Sequence, residues 1–266
     1  MATATNPDIV IVSGGWHVPE NYIKLKDALT ASGYQVHVPR LASVSETRPP
    51  TGDLYSDTVV VRSLVVDLVE AGRTVIAIMH SYGGQVGTNA LHGLGLATRS
   101  TQGLPGGVAH LVYMCAFALP EGEFISSLSQ EFGHAHHMAL SFDVPEDLSS
   151  VVRDPRALFI GDYMGEATEE EVVVYLSQLT RWNGKCWGDI ITNTPAWKEI
   201  PVTYLYCSKD EVLPPDYQAR MIKDIRARGR EVEVVTIETA HSPHLAATKE
   251  VVGAVDKVVA GIGSGN

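Results

Sequence analysis

The stretch Thr74-Val-Ile-Ala-Ile-Met-His-Ser81-Tyr-Gly-Gly84 is a run of apolar residues that stops at a serine and continues directly into two glycines. The run predicts a buried strand, and the residues after it predict a very tight turn from that strand into a helix. Such a turn projects the serine hydroxyl and needs nearly absent side chains close by, here Gly83 and Gly84. Ser81 is therefore the first candidate nucleophile.

Short apolar runs rich in Val, Ile and Tyr alternate with amphipathic segments along most of the chain. Near-continuous hydrophobic strands separated by helices indicate an α/β protein with a mainly parallel sheet covered on both faces. Functional sites in such sheets lie at the carboxyl ends of the strands. The predicted strands cover residues 9–13, 35–39, 74–80, 109–116, 202–207 and 231–237. The predicted helices between them cover residues 21–32, 57–71, 85–94, 215–227 and 244–261.

One long segment, residues 121–200, interrupts this alternation and has no clear strand, although it has helix-like runs and many bulky side chains. We expect it to be a helical cap inserted into a core domain formed by residues 1–120 and 201–266. Long loops in compact domains usually act as lids or substrate loops. For most of its aromatic residues, packing in a small satellite core is the commoner role. The candidates for substrate contact are Trp16, His17, Phe132, Tyr163, Trp182 and Trp187.

Two polar residues supply the partners that a nucleophilic serine requires. A serine hydroxyl is a weak nucleophile at neutral pH, so Ser81 needs a base, and the base needs an orienting carboxylate. Asp210 falls in the loop after one predicted strand, and His241 falls in the loop after the last one. Pro243 suits the first position of a helix, so His241 stays on the loop, whereas His244 enters the first helical turn. Ser81, Asp210 and His241 are the predicted triad, and Glu211 is the alternative acid.

The chain order Ser81, Asp210, His241 is the order found in α/β-hydrolases. Three further segments match that family: Ser-Gly-Gly-Trp-His at 13–17, Met-His-Ser-Tyr-Gly-Gly at 79–84 and Leu-Pro-Glu-Gly at 119–122. The sequence resembles the α/β-hydrolase superfamily, and within it the small esterase branch that includes plant methylesterases and hydroxynitrile lyases. The resemblance extends from Val10 to about Val252 and implies the α/β-hydrolase fold.

The resemblance also implies an oxyanion hole. In α/β-hydrolases, the N–H group after the nucleophile and another from the loop after an early strand stabilise the developing negative charge. These positions correspond to Tyr82 and Gly15, and Gly14 permits a close approach of the backbone. Two residues depart from the family pattern. Ser13 stands where the family usually has histidine, and Met79 stands where it usually has a small residue, which predicts a crowded turn.

Composition narrows the classes of partner. With 31 acidic and 20 basic residues, the formal net charge is -11, which disfavours long-range attraction to nucleic acid or anionic membranes. We expect a small neutral or apolar molecule instead, and the oligomeric state stays open. The N-terminal apolar run is too short for a signal or membrane segment, so the expected compartment is the cytoplasm.

No metal or other cofactor is expected. Cys115, Cys186 and Cys207 are an odd number without CxxC spacing, which predicts neither a metal cage nor a complete disulfide framework. The sequence Gly-His-Ala-His-His at 133–137 offers possible metal-ligand spacing. Because no acidic or thiol partner is obvious at helical spacing, a polar loop in the cap explains these histidines better.

These observations predict a cofactor-independent serine hydrolase that cleaves a carboxylic ester or lactone of a small apolar or aromatic molecule. One alternative keeps the triad and breaks a carbon–carbon bond, as in a retro-aldol or retro-Claisen reaction. Another alternative is a small-molecule receptor on a hydrolase fold. Hydroxynitrile lyases carry a lysine directly after the catalytic histidine, whereas this chain has Ser242, so the resemblance does not favour cyanohydrin cleavage.

Overall fold

A parallel six-stranded sheet lies at the centre of the protein, whose computed structural model describes residues 6–264. Every neighbouring pair in this sheet is parallel, and its middle strands are buried along nearly their whole length. This burial explains why these strands read as continuous apolar runs. In spatial order the strands are β2 (Gln35–His37), β1 (Asp8–Val12), β3 (Thr74–His80), β4 (Gly107–Met114), β8 (Val202–Cys207) and β9 (Val232–Ile237).

Helices cover both faces of the sheet, and alternate residues of β1 show how the two faces divide. Ile9 and Ile11 pack in one apolar core with side chains from the helices at residues 23–31 and 248–264, whereas Val10 and Val12 pack in another with side chains from the helices at residues 54–70, 82–90 and 215–227. No helix within residues 6–264 has both the length and the apolarity needed to cross a membrane. The helices are α1 (Ile23–Ala31), α2 (Leu54–Glu70), α3 (Tyr82–Ala90), α4 (Leu96–Thr101), α9 (Pro215–Ala227), α10 (Pro243–Ala246) and α11 (Thr248–Ser264).

The segment between β4 and β8 contains a small antiparallel sheet as well as helices. The sequence predicts no strand there, and this prediction is wrong. Its strands are two to four residues long, too short for their alternation to be recognised. In this segment the strands are β5 (Phe142–Asp143), β6 (Ser149–Val152) and β7 (Trp182–Asn183). Its helices are α5 (Ile125–Glu131), α6 (Ala135–Ser141), α7 (Pro155–Phe159) and α8 (Glu169–Ser177).

Met79, the expected source of crowding before the turn, is accommodated by a glycine on the helix that follows. Its side chain is fully buried between β3 and α3. A Cβ atom added to Gly87 would lie 2.2 Å from the Met79 Sδ atom. Gly87 therefore leaves the space that the larger side chain fills, and the helix can still pack closely on the strand.

Gly87→Ala is predicted to lower the free energy of unfolding by about 1–3 kcal/mol, because the added methyl group overpacks against Met79. Gly253→Ala is the matched control on α11, where an added Cβ meets nothing within 4 Å. It should raise the free energy of unfolding by up to about 1 kcal/mol, through helix propensity alone. Urea unfolding followed by circular dichroism measures both effects.

Met79→Ala combined with Gly87→Ala tests the contact itself. Because the smaller side chain at position 79 makes room for the new methyl group, the loss in the double variant should be less than the sum of the two single losses. Strict additivity of the three measurements would contradict a direct contact.

Candidate active site

Ser81 occupies the turn between β3 and α3 with a backbone that residues bearing side chains rarely adopt. Its φ is 53° and its ψ is -123°. Its N–H donates to the carbonyl of Met114 at 3.4 Å, and its carbonyl accepts from the N–H of Phe117 at 3.0 Å. A Cβ added to Gly83 would lie 2.2 Å from the carbonyl oxygen of Val12. The predicted strand-to-helix turn is therefore present, and close packing on both sides holds its strained backbone in place.

His241 and Asp210 form a buried pair at the same edge of the sheet. The Nδ1 atom of His241 lies 2.7 Å from a carboxylate oxygen of Asp210. The other oxygen of Asp210 accepts from the N–H groups of Val212 at 2.9 Å and Leu213 at 2.8 Å. Because the carboxylate only accepts, Nδ1 of His241 carries the proton and Nε2 is the nitrogen that can take one.

The His241 loop also contacts the residue that precedes Ser81. The His241 carbonyl accepts a hydrogen bond from Nε2 of His80 at 2.8 Å, and the two imidazole centroids are 4.9 Å apart. Within residues 6–264 no hydrogen bond joins the His241 ring to the Ser81 hydroxyl. Such contacts often tighten only in the substrate complex. Glu211, the alternative acid, is exposed, and His241 bonds to Asp210 instead.

Gly15 and Tyr82 line the same cavity as Ser81. Across the described chain, neither of their backbone N–H groups donates to a protein acceptor. The Gly14 carbonyl accepts from the N–H of His17 at 3.3 Å. Because the peptide between Gly14 and Gly15 is trans, its N–H points away from that carbonyl. Both N–H groups are therefore unpaired within the described residues.

A chain of hydrogen bonds, which we call the first relay, joins the β1 loop (residues 13–17) to the His241 loop. The N–H of Gly14 donates to the hydroxyl of Tyr22 at 2.8 Å. That hydroxyl lies 2.7 Å from Nδ1 of His80, whose Nε2 reaches the carbonyl of His241. Since a carbonyl only accepts, Nε2 of His80 carries its proton, and Tyr22 donates to Nδ1.

The second relay joins the same two loops by a different route. The Ser242 hydroxyl lies 2.8 Å from the Tyr175 hydroxyl, which lies 2.5 Å from Nε2 of His17. Nδ1 of His17 then donates to the carbonyl of Gly15 at 2.6 Å. Both ring nitrogens of His17 are therefore bonded within the protein, and His17 does not line the cavity, contrary to the expected contact with substrate.

Burial keeps the histidines behind Ser81 neutral at pH 7. It lowers the pKa of His17 to about 3 and lowers the pKa values of His80 and His244 well below 6.5. Neither ring nitrogen of His244 has a hydrogen-bond partner among the described residues, and its ring packs 4.6 Å from that of Tyr22. The neutral tautomers of His17 and His80 are the forms that both relays require.

His80, Cys115 and His241 each place one potential ligand atom within 4.8 Å of the others. A metal ion there would compete with the hydrogen bonds of both histidines. Burial also raises the pKa of the Cys115 thiol, which disfavours the thiolate that binds metals.

The histidines at 133–137 lie in the inserted segment. The Nδ1 atom of His134 is 3.0 Å from the Tyr217 hydroxyl oxygen. The His137 side chain lies outside the described residues.

Tyr82 is anchored by a buried carboxylate that the sequence analysis did not identify. Its hydroxyl donates to Asp57 at 2.7 Å, and the hydroxyl of Ser43 donates to the same oxygen at 2.5 Å. Asp57 is fully buried, and burial raises the pKa of its carboxyl group. Because it lies in the first turn of α2, it resembles an ordinary helix-terminal acid in the sequence. Through its hydrogen bond with Tyr82, Asp57 connects the start of α3 with α2.

The cavity beside Ser81 is narrow and aromatic, with a volume of about 30 Å³, and none of the described residues that line it is charged. The indole N–H of Trp182 has no partner among residues 6–264. A Cβ added to Gly15 would lie 2.9 Å from this indole ring, so Trp182 packs directly on the β1 loop. The lining residues are Gly15, Trp16, Ser81, Tyr82, Phe117, Ile125, Ser129, Phe142, Trp182, Trp187, Val212 and Tyr217.

Three of the predicted substrate-contact residues, Trp16, Trp182 and Trp187, line this cavity. Phe132 and Tyr163 do not. Phe132 packs against Tyr217, which lines the cavity, with ring centroids 4.9 Å apart. Tyr163 lines a separate open cleft of about 920 Å³, which Asp210 also lines. Sequence alone does not distinguish these positions, because all of them are large side chains in or near one inserted segment.

Known proteins resemble the chain along nearly all of its length. The sequence model of the alpha/beta hydrolase family matches residues 9–254. The chain is 28% identical over 242 residues to alpha/beta hydrolase nvfD of Aspergillus novofumigatus, covering 90% of this chain and 91% of that protein. It is 29% identical over 255 residues to the pyrethroid hydrolase of Sphingobium wenxiniae, covering 90% and 83% respectively.

Solved structures share the fold at lower identity. A pyrethroid hydrolase from Sphingobium faniae superposes with a TM-score of 0.72 at 22% identity, covering 95% of this chain and 97% of that chain. Polyneuridine aldehyde esterase gives a TM-score of 0.71 at 17% identity, covering 95% and 99% respectively. These likenesses confirm the fold class that the sequence predicts.

The buried histidines predict a loss of stability in acid. Below pH 6.5 the unfolded chain binds protons at His17, His80 and His244 that the folded chain excludes. As the pH is lowered from about 6.5 towards 3, the free energy of unfolding therefore decreases by up to about 1.4 kcal/mol per pH unit for each histidine. Above pH 6.5 this contribution is fully present. Urea unfolding at pH 7.5, 5.5 and 4.5 measures the slope.

His244→Phe isolates one of these contributions. The variant should reduce the slope between pH 6 and pH 4 by about 1 kcal/mol per pH unit, because one group that binds protons only when unfolded is removed. His92→Asn, at an exposed position, is the control and should leave the slope unchanged. An equal slope for His244→Phe and the wild type would contradict the neutrality of His244 in the folded protein.

Proposed function

The chain belongs to the alpha/beta hydrolase family, and we propose that it is a cofactor-independent serine hydrolase acting on a carboxylic ester or lactone of a small apolar or aromatic molecule. The hydrogen bond of 2.7 Å between His241 and Asp210 carries this proposal, because it leaves Nε2 of the histidine as the proton acceptor. Relatives named pyrethroid hydrolase and polyneuridine aldehyde esterase support hydrolysis as the reaction class.

In the first half of the proposed reaction, the Ser81 hydroxyl oxygen attacks the ester carbonyl carbon while Nε2 of His241 takes its proton. Asp210 stabilises the resulting imidazolium, and the N–H groups of Gly15 and Tyr82 bind the oxyanion. Such donors contribute about 3 kcal/mol each to transition-state stabilisation. The tetrahedral intermediate then collapses, the bond to the alcohol oxygen breaks, and His241 returns the proton to the leaving alcohol. The acyl group remains on Ser81.

In the second half, water attacks the acyl carbon and gives a proton to Nε2 of His241. The same N–H groups bind the second oxyanion. The bond to the Ser81 oxygen breaks, the proton returns to that oxygen, and the carboxylic acid leaves. One water molecule is consumed for each ester cleaved, and no external electron donor or acceptor takes part.

The lining of the Ser81 cavity supports an uncharged, aromatic substrate. Of the twelve described residues in this lining, seven are aromatic and none is charged. A charged substrate would lose its hydration in such a site without a partner for its charge. Ser242 supports hydrolysis over cyanohydrin cleavage, because its hydroxyl is bonded to Tyr175 and no ammonium group stands at that position.

Ser81→Ala is predicted to lower kcat/KM for p-nitrophenyl acetate by about 10⁴-fold or more, because the nucleophile is lost. Asp210→Asn should lower it by a comparable factor of about 10⁴, since the wrong histidine tautomer is favoured. Ser177→Ala is the control: this exposed hydroxyl donates to the carbonyl of Val174 and takes no part in either relay. Wild-type turnover by Ser81→Ala would refute the mechanism.

Reaction in water enriched in ¹⁸O distinguishes ester hydrolysis from a retro-aldol lyase reaction. Hydrolysis through the acyl-enzyme must place one solvent oxygen in each molecule of acid, since water attacks the acyl carbon. Mass spectrometry of the released acid measures this incorporation. Products that form at the enzymatic rate without solvent oxygen would favour the carbon–carbon lyase.

A further inference from the structure

We infer that Phe142 is a specificity-determining gate between the Ser81 cavity and two outer cavities, and that the substrate is an uncharged aromatic ester with a bulky apolar arm on each side. The identity of the substrate as an ester rests on the proposed function. The position of the gate follows from the cavities alone.

Among the described residues, Phe142 alone lines all three cavities. The first outer cavity, which we call the α5 cavity, measures about 460 Å³ and shares Ser129 and Trp187 with the Ser81 cavity as well. The second, which we call the α9 cavity, measures about 490 Å³ and shares Val212 and Tyr217 with it. Displacement of this single ring would join the nucleophile to both spaces.

The volumes require such a displacement. At about 30 Å³, the Ser81 cavity holds no more than one or two water molecules. Sites that take drug-sized molecules measure on the order of 300–1,000 Å³. Each outer cavity reaches this range, but neither is lined by Ser81. An aryl ester can therefore bring its carbonyl to Ser81 only if the wall between these spaces opens.

Ring packing alone holds Phe142 in this wall. Trp16 is held by a hydrogen bond of 3.2 Å from its indole N–H to the carbonyl of Ser150. The Phe142 ring has no polar atom and stacks on Trp16, with centroids 4.8 Å apart and planes 5° apart. It lies on the two-residue strand β5, and the nearby side chains of Leu140 and Val144 are exposed. The ring can turn away without breaking a side-chain hydrogen bond.

The outer cavities indicate what the two arms are. In the α9 cavity Leu158, Pro214 and Pro215 supply apolar contacts, and Asp210 and Glu211 disfavour an anionic group. The α5 cavity contains Ala135, Ala139 and Val144, and the charged side chains among its described lining residues are Asp143 and Arg153, which pair with each other at 3.4 Å. Uncharged, mainly apolar groups fit both spaces.

Phe142→Ala tests the gate, with Leu140→Ala as the matched control in the same segment. Leu140 is 71% exposed and lines none of the three cavities. Calorimetric titration gives the Kd of two ketones that cannot be hydrolysed, acetophenone and 2-acetylnaphthalene. In Phe142→Ala the Kd of the naphthyl ketone should fall about tenfold relative to that of acetophenone, because the larger ring system requires the greater displacement of Phe142 in the wild type. Phe142→Trp should shift this ratio the opposite way, and Leu140→Ala should leave it unchanged.

The kcat/KM ratio of p-nitrophenyl 2-naphthoate to p-nitrophenyl acetate should rise in Phe142→Ala in parallel with the affinity ratio. Unchanged ratios for Phe142→Ala, or an equal change in Leu140→Ala, would overturn the gate. If the ketone ratio shifts but the wild type hydrolyses neither ester, the gate stands and ester hydrolysis fails. Should Phe142→Ala fail to fold by circular dichroism, Phe142→Leu gives the same comparison with a smaller opening.

Discussion

The close contact of three backbone segments around Ser81 is the constraint on which the rest of the site depends. Ser81 keeps a left-handed backbone only because its N–H is bonded to the end of β4 and its carbonyl to the chain just after β4, and because α3 begins against the end of β1. Gly83 makes that approach possible, since a Cβ there would lie 2.2 Å from the Val12 carbonyl oxygen. The same contact brings the β1 loop, with Gly14 and Gly15, beside the serine.

The two relays extend this constraint to the histidine. One runs from Gly14 to the His241 carbonyl, and the other runs from Gly15 to Ser242, the next residue in the chain. Each passes through one tyrosine and one histidine that are buried. Their direction depends on neutral imidazoles, so the burial that lowers the pKa values of His17 and His80 also preserves the geometry. The two relays thus connect the loop of the proposed base with the loop of Gly15, one of the two proposed oxyanion donors.

The sequence predicts the parallel sheet, the strand-to-helix turn and the His241–Asp210 pair, because each depends on local pattern or on chain order. It does not predict features that arise from contact between distant residues. The space for Met79 comes from Gly87, and the partner of Tyr82 is Asp57, which resembles a surface acid. The strands β5 to β7 are too short to show a period, and His17 is recognised as structural only once Tyr175 is placed beside it. The cap role of the inserted segment stays a prediction.

The most direct measurement is labelling of the folded protein with a fluorophosphonate probe, followed by mass spectrometry of its peptides. One adduct per chain is expected, on the peptide that contains Ser81, because this hydroxyl has His241 as its proposed base and the N–H groups of Gly15 and Tyr82 as its proposed oxyanion donors. Absence of an adduct from the folded protein would contradict an activated Ser81 and favour a receptor. An adduct on a different residue would contradict the assignment of the nucleophile.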